Sequence, residues 1–417
     1  MPLDHDNPEL GSFSYRYQFI QKHEESTSQR VIINIPGGPG QNMIGSSQEA
    51  DYLVGFNHIE IDPRSIGCNF VDSSKMSSDL ITTDQHARDI AYLIKNLEIE
   101  DYAIHGVSYG TVVATYLSHL AGQDPDLLEP TAVVLEGVVG QAIKGDVYAR
   151  SFATRWQETT ELVPGLMGAF ANQKELPFGY DINQWNAIIR TLLSIGGPEG
   201  RSWLEAAVNP DYYDKNKVTK VFDSLLEDGT NIQGEQRFYL EVGCKELFEN
   251  TRYFNFLTSE GFEVFDFADF LAEGVSLEEA IQVCNTVDLE RPFNPNDYVM
   301  VDVPTYYFQG TMDPNTTYKE SLIHREAQGH LTQAFYIDVQ DAGHNPLGVQ
   351  LKKCQGSVWN SIFEGVKPWA LLATGYCYNQ RMTTGVMNQV GNFDVLNEKS
   401  PLELNLPQVK KLQKSLR

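Results

Sequence analysis

The chain has 417 residues and a formal charge of −25, from 31 Lys+Arg against 56 Asp+Glu. Hydrophobic residues at 41% and aromatics at 11% suffice for a packed core, which excludes a disordered chain. No stretch approaches the roughly 18 uninterrupted apolar residues of a membrane helix, and the acidic balance argues against nucleic acid, whose phosphates need clustered Lys and Arg. The one basic cluster, Lys410, Lys411, Lys414 and Arg417, reads as a solvated helix end. The length exceeds one typical domain, so two domains or one core with a large insertion is expected.

In chain order, Ser12–Ile20 alternates Phe13, Tyr15 and Tyr17 with polar residues and reads as an antiparallel edge strand. Short apolar runs at Val31–Ile35, His58–Asp62, Tyr102–His105 and Ala132–Leu135 read as buried strands, and Thr305–Phe308 and Ala334–Asp338 repeat the pattern later. Thr83–Leu97, with Ile90, Leu93, Ile94 and Leu97 on one face, is helical. Strand–helix alternation of this kind predicts a parallel α/β sheet.

The alternation stops near residue 144 and resumes near 299. The segment between carries Trp156, Trp185 and Trp203 and looks helical at Trp185–Ile195 and Leu277–Val283, the latter opened by a capping-box sequence, Ser276-Leu277-Glu278-Glu279. It holds 26 Asp/Glu and 13 Lys/Arg, about half of the net charge. The organisation expected is an α/β core over 1–143 and 299–417 with a helical cap over 144–298. The alternative is an independent helical domain; the cap is preferred because both flanks are needed to complete one sheet.

Gly106-Val107-Ser108-Tyr109-Gly110 falls between a predicted strand and the helical run Thr111–Leu120. A serine at so tight a strand-to-helix turn demands small residues two before and two after it, and glycines meet that demand. Ser108 is therefore the candidate nucleophile. A serine needs a base to take its proton, and in this arrangement the acid and then the histidine follow along the chain. Asp313, in Gly310-Thr311-Met312-Asp313-Pro314, lies just after one strand, and His344, in Asp341-Ala342-Gly343-His344-Asn345, just after the next. His344 is expected to relay the proton and Asp313 to orient it. Asp338 and Asp341 are rival acids, and His105 is too close along the chain to serve as the base. Pro36-Gly37-Gly38-Pro39-Gly40 follows a strand and lets backbone N–H groups approach an oxyanion; Gly38 and Tyr109 are the expected donors.

These motifs resemble the α/β-hydrolase peptidases that include proline iminopeptidases and, more closely, the exported tripeptidyl-aminopeptidase-like enzymes. That family carries H-G-G-P-G, D-x-R-G-x-G-x-S and G-x-S-Y-G, then G-x-x-D and G-H loops. Here Pro36 replaces the first histidine. Asp62-Pro63-Arg64-Ser65-Ile66-Gly67-Cys68-Asn69 keeps Asp62, Arg64 and Gly67 but loses the first glycine and the last serine. Pro2-Leu3-Asp4-His5-Asp6-Asn7-Pro8 is similar to the family's lead-in to its first strand, and Leu135-Glu136-Gly137-Val138 to its L-D-G-V. The resemblance spans nearly the whole chain and is weakest across 145–240.

The resemblance implies an α/β-hydrolase fold, a mostly parallel sheet with helices on both faces and a large helical cap inserted. It also implies an aminopeptidase that cleaves free N-termini through an acyl-enzyme. Carboxylates hold the substrate ammonium in such enzymes, and Glu246 and Glu136 are the candidates. A carboxylesterase would use the same triad, and a non-catalytic binding protein on the same fold is a further alternative. The oligomeric state does not follow. Neither a metal nor another cofactor is expected, since no C-x-x-C or closely spaced Cys/His set occurs.

By resemblance to exported members, Cys244–Cys284 and Cys354–Cys377 are expected to form disulfides, with Cys68 free. Five reduced thiols in a cytoplasmic enzyme is the alternative that spacing leaves open. No signal peptide precedes Pro2, and Met1 directly before the family's lead-in suggests a removed leader. The expected location is periplasmic or secreted, with the cytoplasm as the alternative.

Overall fold

A computed structural model describes residues 1–21, 30–44, 53, 56–72, 74–143, 145–171, 176–209, 213–227, 235–247, 291–352, 355–365, 382–388 and 392–395. Nine strands among them form one sheet in the order β1-β3-β2-β4-β5-β6-β7-β8-β9. The strands are β1 (Tyr17–Ile20), β2 (Val31–Ile35), β3 (Asn57–Ile61), β4 (Tyr102–Val107), β5 (Ala132–Glu136), β6 (Thr305–Gly310), β7 (Ala334–Val339), β8 (Met382–Asn388) and β9 (Asn392–Val395). The six from β3 across to β7 run parallel. β1 joins antiparallel at one edge, and β8 and β9 extend the other edge antiparallel. Strands from residues 17–136 and 305–395 thus share one sheet, as the two flanks require.

Alternate residues of each central strand serve opposite faces. Ile33, Ile35, Ile104, Val133, Leu135 and Tyr307 join one hydrophobic cluster. Ile32, Ala103, Val134, Tyr306 and Phe308 join the other. Both faces are covered, so these strands read as continuous apolar runs. The first face is covered by helices α1 (Thr83–Asn96) and α2 (Tyr109–Ala121), whose apolar side chains join its cluster.

Between β5 and β6 come α3 (Gly145–Leu162), α4 (Leu166–Ala171), α5 (Ile182–Ile195), α6 (Gly197–Val208), α7 (Lys215–Glu227) and α8 (Glu235–Val242). α5 starts on a capping box made by Asp181 and Gln184. It buries Trp185, Ile188, Ile189 and Leu192 in the first cluster, beside Phe170 and Phe222. The expected helix Leu277–Val283 lies outside the described residues. α9 (Tyr318–Ala327) follows β6. α10 (Gln355–Phe363) lies on the second face, where it buries Trp359. No helix among the described residues is long and apolar enough to cross a membrane.

The Arg64 motif belongs to the fold. Arg64 is fully buried and holds Asp89 of α1 through two N–H donors at 2.8 and 2.6 Å, while its remaining nitrogen reaches the Leu3 and Leu80 carbonyls. Asp62 accepts the N–H groups of Met43 at 2.7 Å, Ile44 at 3.0 Å and Cys68 at 2.9 Å. It thereby ties the stretch after the glycine loop to the end of β3.

Candidate active site

Five loops converge at the carboxyl ends of the parallel strands, where open α/β sheets present ligand-binding and reactive groups. Ser108 follows β4 in the left-handed region, at φ 55° and ψ −122°. A non-glycine residue there costs about 1–3 kcal/mol and is held only by its surroundings. Those surroundings are visible. Ser108 N–H donates to the Glu136 carbonyl at 2.8 Å, and a methyl on Gly106 or Gly110 would strike backbone within 2.4 Å. The two glycines are therefore required by packing.

Gly37, in the loop after β2, approaches the serine so closely that a methyl on it would sit 3.1 Å from Ser108 Cβ. Gly38 follows at φ 109°. The Tyr109 N–H opens α2 and is among the first-turn donors that no intrahelical carbonyl satisfies.

His344 Nδ1 lies 2.8 Å from Asp313 Oδ2. Of the three acids considered from sequence, Asp313 is thus the one on the imidazole. Asp338 instead accepts from Tyr318 Oη at 3.3 Å. The Asp341 N–H donates to Thr311 Oγ1. The acid and histidine loops are bound to each other by Thr311 N–H to the Val339 carbonyl and Met312 N–H to the Ala342 carbonyl.

Sequence reasoning missed the groups that hold the acid. Thr316 Oγ1 donates to Asp313 Oδ2 at 2.8 Å, Gln309 Nε2 donates to the same oxygen at 3.1 Å, and the N–H groups of Asn315 and Thr316 donate to Oδ1. An Asx-type turn signal, Asp313-Pro314-Asn315-Thr316, was the available clue. Burial opposes the imidazolium of His344. The Asp313 charge, its hydrogen bond and the Glu136 charge outweigh that, and the pKa stands above its ordinary value despite Arg190. Ser108 and His344 share no hydrogen bond here; such contacts are often long before substrate binds. A small cavity of about 10 Å³ lies beside the acid loop, lined by Ile143, Val147, Tyr148, Asn315 and Thr316 among others.

No family model matches the sequence, and no curated protein matches it. Solved structures similar in backbone include MGS-M2, an alpha/beta hydrolase enzyme from a Medee basin deep-sea metagenome library. It has 14% identity and a TM-score of 0.45, over 84% of this chain and 94% of that one. Rv0554 from Mycobacterium tuberculosis has 16% identity and a TM-score of 0.44, over 86% and 97%. The esterase EaEST from Exiguobacterium antarcticum has 13% identity and a TM-score of 0.38, over 83% and 94%.

Parallel strands in doubly wound order, with a strained serine between β4 and α2, decide the architecture. The fold is that of the α/β hydrolases.

On this α/β-hydrolase sheet the two carboxylates expected to hold an ammonium occupy different surroundings. Glu136 is fully buried at the end of β5. Its Oε1 accepts the Leu347 and Gly348 N–H groups, and its Oε2 lies 3.2 Å from His105 Nε2. Both oxygens of this carboxylate are thus engaged within the fold.

Glu246 sits in a π-helical turn, Gly243–Leu247, and accepts the Thr83 N–H at the start of α1 at 3.1 and 3.3 Å. Thr83 Oγ1 is in turn 3.0 Å from Tyr109 Oη, which links this carboxylate to the residue after the serine. Burial pushes Glu246 up to about 7, against the hydrogen bonds from Thr83. The hydroxyls of Tyr109, Tyr116 and Tyr298 lie within its field.

Cys68 is free and exposed. Cys244 is buried. Cys284, Cys354 and Cys377 lie outside the described residues, and with them both expected pairings. Among the described residues no group of three or more His, Cys, Asp and Glu is placed to hold a metal.

Proposed function

We propose that the protein is a serine hydrolase that acts as an aminopeptidase, cleaving residues or short peptides from free N-termini through an acyl-enzyme. Ser108 Oγ attacks the scissile carbonyl while His344 Nε2 takes its proton and later delivers it to the leaving amine. Asp313 holds the imidazole tautomer and stabilises the imidazolium. The N–H groups of Gly38 and Tyr109 stabilise the tetrahedral oxyanion. The observation that carries the hydrolase reading is the 2.8 Å contact of His344 with Asp313 on the loops beside the strained Ser108.

The exopeptidase reading rests on Glu246. A buried carboxylate with a pKa raised to about 7 is short of a cation: Lys245 is the smallest of the influences on it and is paired with Glu241. A substrate ammonium would supply the missing charge through charge-assisted hydrogen bonds. Thr83 connects that carboxylate to the serine turn, donating its backbone N–H to Glu246 and meeting the Tyr109 hydroxyl with its own. In this reading residues 144–298 form a cap over the site and select the substrate.

We pair Cys244 with Cys284 and Cys354 with Cys377, and disulfides of that kind go with a periplasmic or secreted location. The test compares an aminoacyl anilide, its N-acetylated form and a short acyl ester. Turnover of the free amine at least 100-fold above the blocked form is expected. Equal turnover of the two would remove the exopeptidase reading, and hydrolysis of the ester alone would make the protein a carboxylesterase.

A further inference from the structure

Glu136 does more than fill the end of β5. Its backbone carbonyl accepts the N–H of Ser108 at 2.8 Å. Its carboxylate accepts the N–H of Leu347 at 2.5 Å and of Gly348 at 3.2 Å, three and four residues past His344. On its other oxygen stands His105 of β4 at 3.2 Å, whose Nδ1 is 3.0 Å from Asn34 Oδ1 of β2. One buried residue therefore touches the serine's backbone and the histidine's loop. The next residue, Gly137, is so close to the imidazole that a methyl on it would fall 2.8 Å from His344 Nδ1.

We propose that Glu136 is a positioning residue for the serine–histidine pair, fixing the His344 loop in register with Ser108 and adding a second negative charge beside the imidazolium. The proposal rests on the serine-hydrolase reading above. When the Ser108 Oγ–C bond forms, the hydroxyl proton passes to His344 Nε2 and then to the leaving amine. Glu136 gains no proton in either step. The charged groups facing His344 are Asp313 from the loop after β6, Glu136 from β5 and Arg190 from α5. The first two favour its protonated form and the third opposes it. Glu136 itself faces His105 from β4.

Glu136→Gln isolates the charge, because a glutamine oxygen still accepts both N–H groups. The readout is the rate at which a fluorophosphonate labels the serine, followed across pH. Losing a negative charge makes the imidazolium easier to deprotonate, so the acidic limb moves to lower pH. The expected shift is about one unit, as for a buried charge acting over several ångströms. Glu136→Asp keeps the charge but shortens the reach to Leu347 and Gly348. Its limb stays near the wild-type position while labelling slows about tenfold.

A limb unmoved in Glu136→Gln overturns the proposal. Should that variant not fold, wild-type labelling rates in Glu136→Asp overturn it instead. If wild-type protein is not labelled at Ser108 at all, the serine-hydrolase reading itself is what fails.

Discussion

His344 donates its backbone N–H to the carbonyl of Ser194 across 2.6 Å. Ser194 lies in the last turn of α5, where carbonyls have no intrahelical partner. The neighbouring Ile195 carbonyl is satisfied by Gln350 Nε2 at 2.9 Å. Asn315 Nδ2 reaches Ser194 Oγ at 2.9 Å, while the Asn315 N–H holds Asp313. The end of one helix from the segment between β5 and β6 thus contacts both the histidine and the acid loops.

Asn315→Ala removes the side-chain link and leaves the backbone bond to Asp313. We expect a stability loss of about 1 kcal/mol in urea denaturation. Turnover should fall about tenfold with binding little changed, since the variant disturbs alignment and leaves the substrate contacts in place.

The pH profile follows from His344. As a base it must be neutral, so kcat/KM falls as pH drops through its raised pKa, and the acidic limb lies above the ordinary imidazole value of 6.5. Asp313→Asn removes the main charge that raises it. The limb should then move down and kcat should drop by about four orders of magnitude, as initial rates across pH would read.

Glu246 makes a separate prediction about stability. Its folded pKa is about 7 against an ordinary 4.5. Between those values the folded chain retains a proton that the unfolded chain has released, so stability falls as pH rises through that window. The full cost, on the order of 3 kcal/mol, is reached above it. Glu246→Gln should flatten this dependence, match wild type near pH 4 and exceed it at pH 8 in chemical denaturation. The same variant should lose most of the preference for a free amine over a blocked one.

Arg64 and Asp89 form a buried, bidentate pair. Arg64→Ala leaves the Asp89 charge short of its main partner and should cost about 3–5 kcal/mol. Turnover per folded molecule should persist, because Arg64 touches none of the proposed catalytic groups. Thermal unfolding together with active-site titration separates the two effects.

Much of this architecture is legible in the chain. β2, β4 and β5 are mostly β-branched or apolar, apart from the buried Asn34, His105 and Glu136, because helices cover both faces. The turn at Ser108 announces itself because only glycine fits at 106 and 110. β8, Met382–Asn388, escaped because its Thr-Thr-Gly-Val run offers neither alternation nor a sustained apolar stretch. The contacts of Glu136 were hidden for another reason. Its partners Leu347 and Gly348 are more than 200 positions away and contribute backbone N–H groups, which leave no trace in residue identity. Asp89 as the partner of Arg64 was hidden likewise, 25 positions away on an ordinary helix face.

The central claim is that Ser108 is an activated nucleophile. The most direct measurement is the intact mass of the folded protein after a serine-directed fluorophosphonate, with the adduct then located by peptide mapping, alongside Ser108→Ala and His344→Ala. The account predicts one adduct per chain, on Ser108, absent from Ser108→Ala and slowed by about 1,000-fold or more in His344→Ala, as the loss of a triad base implies. No adduct on wild-type protein, or an adduct that survives Ser108→Ala, would contradict it.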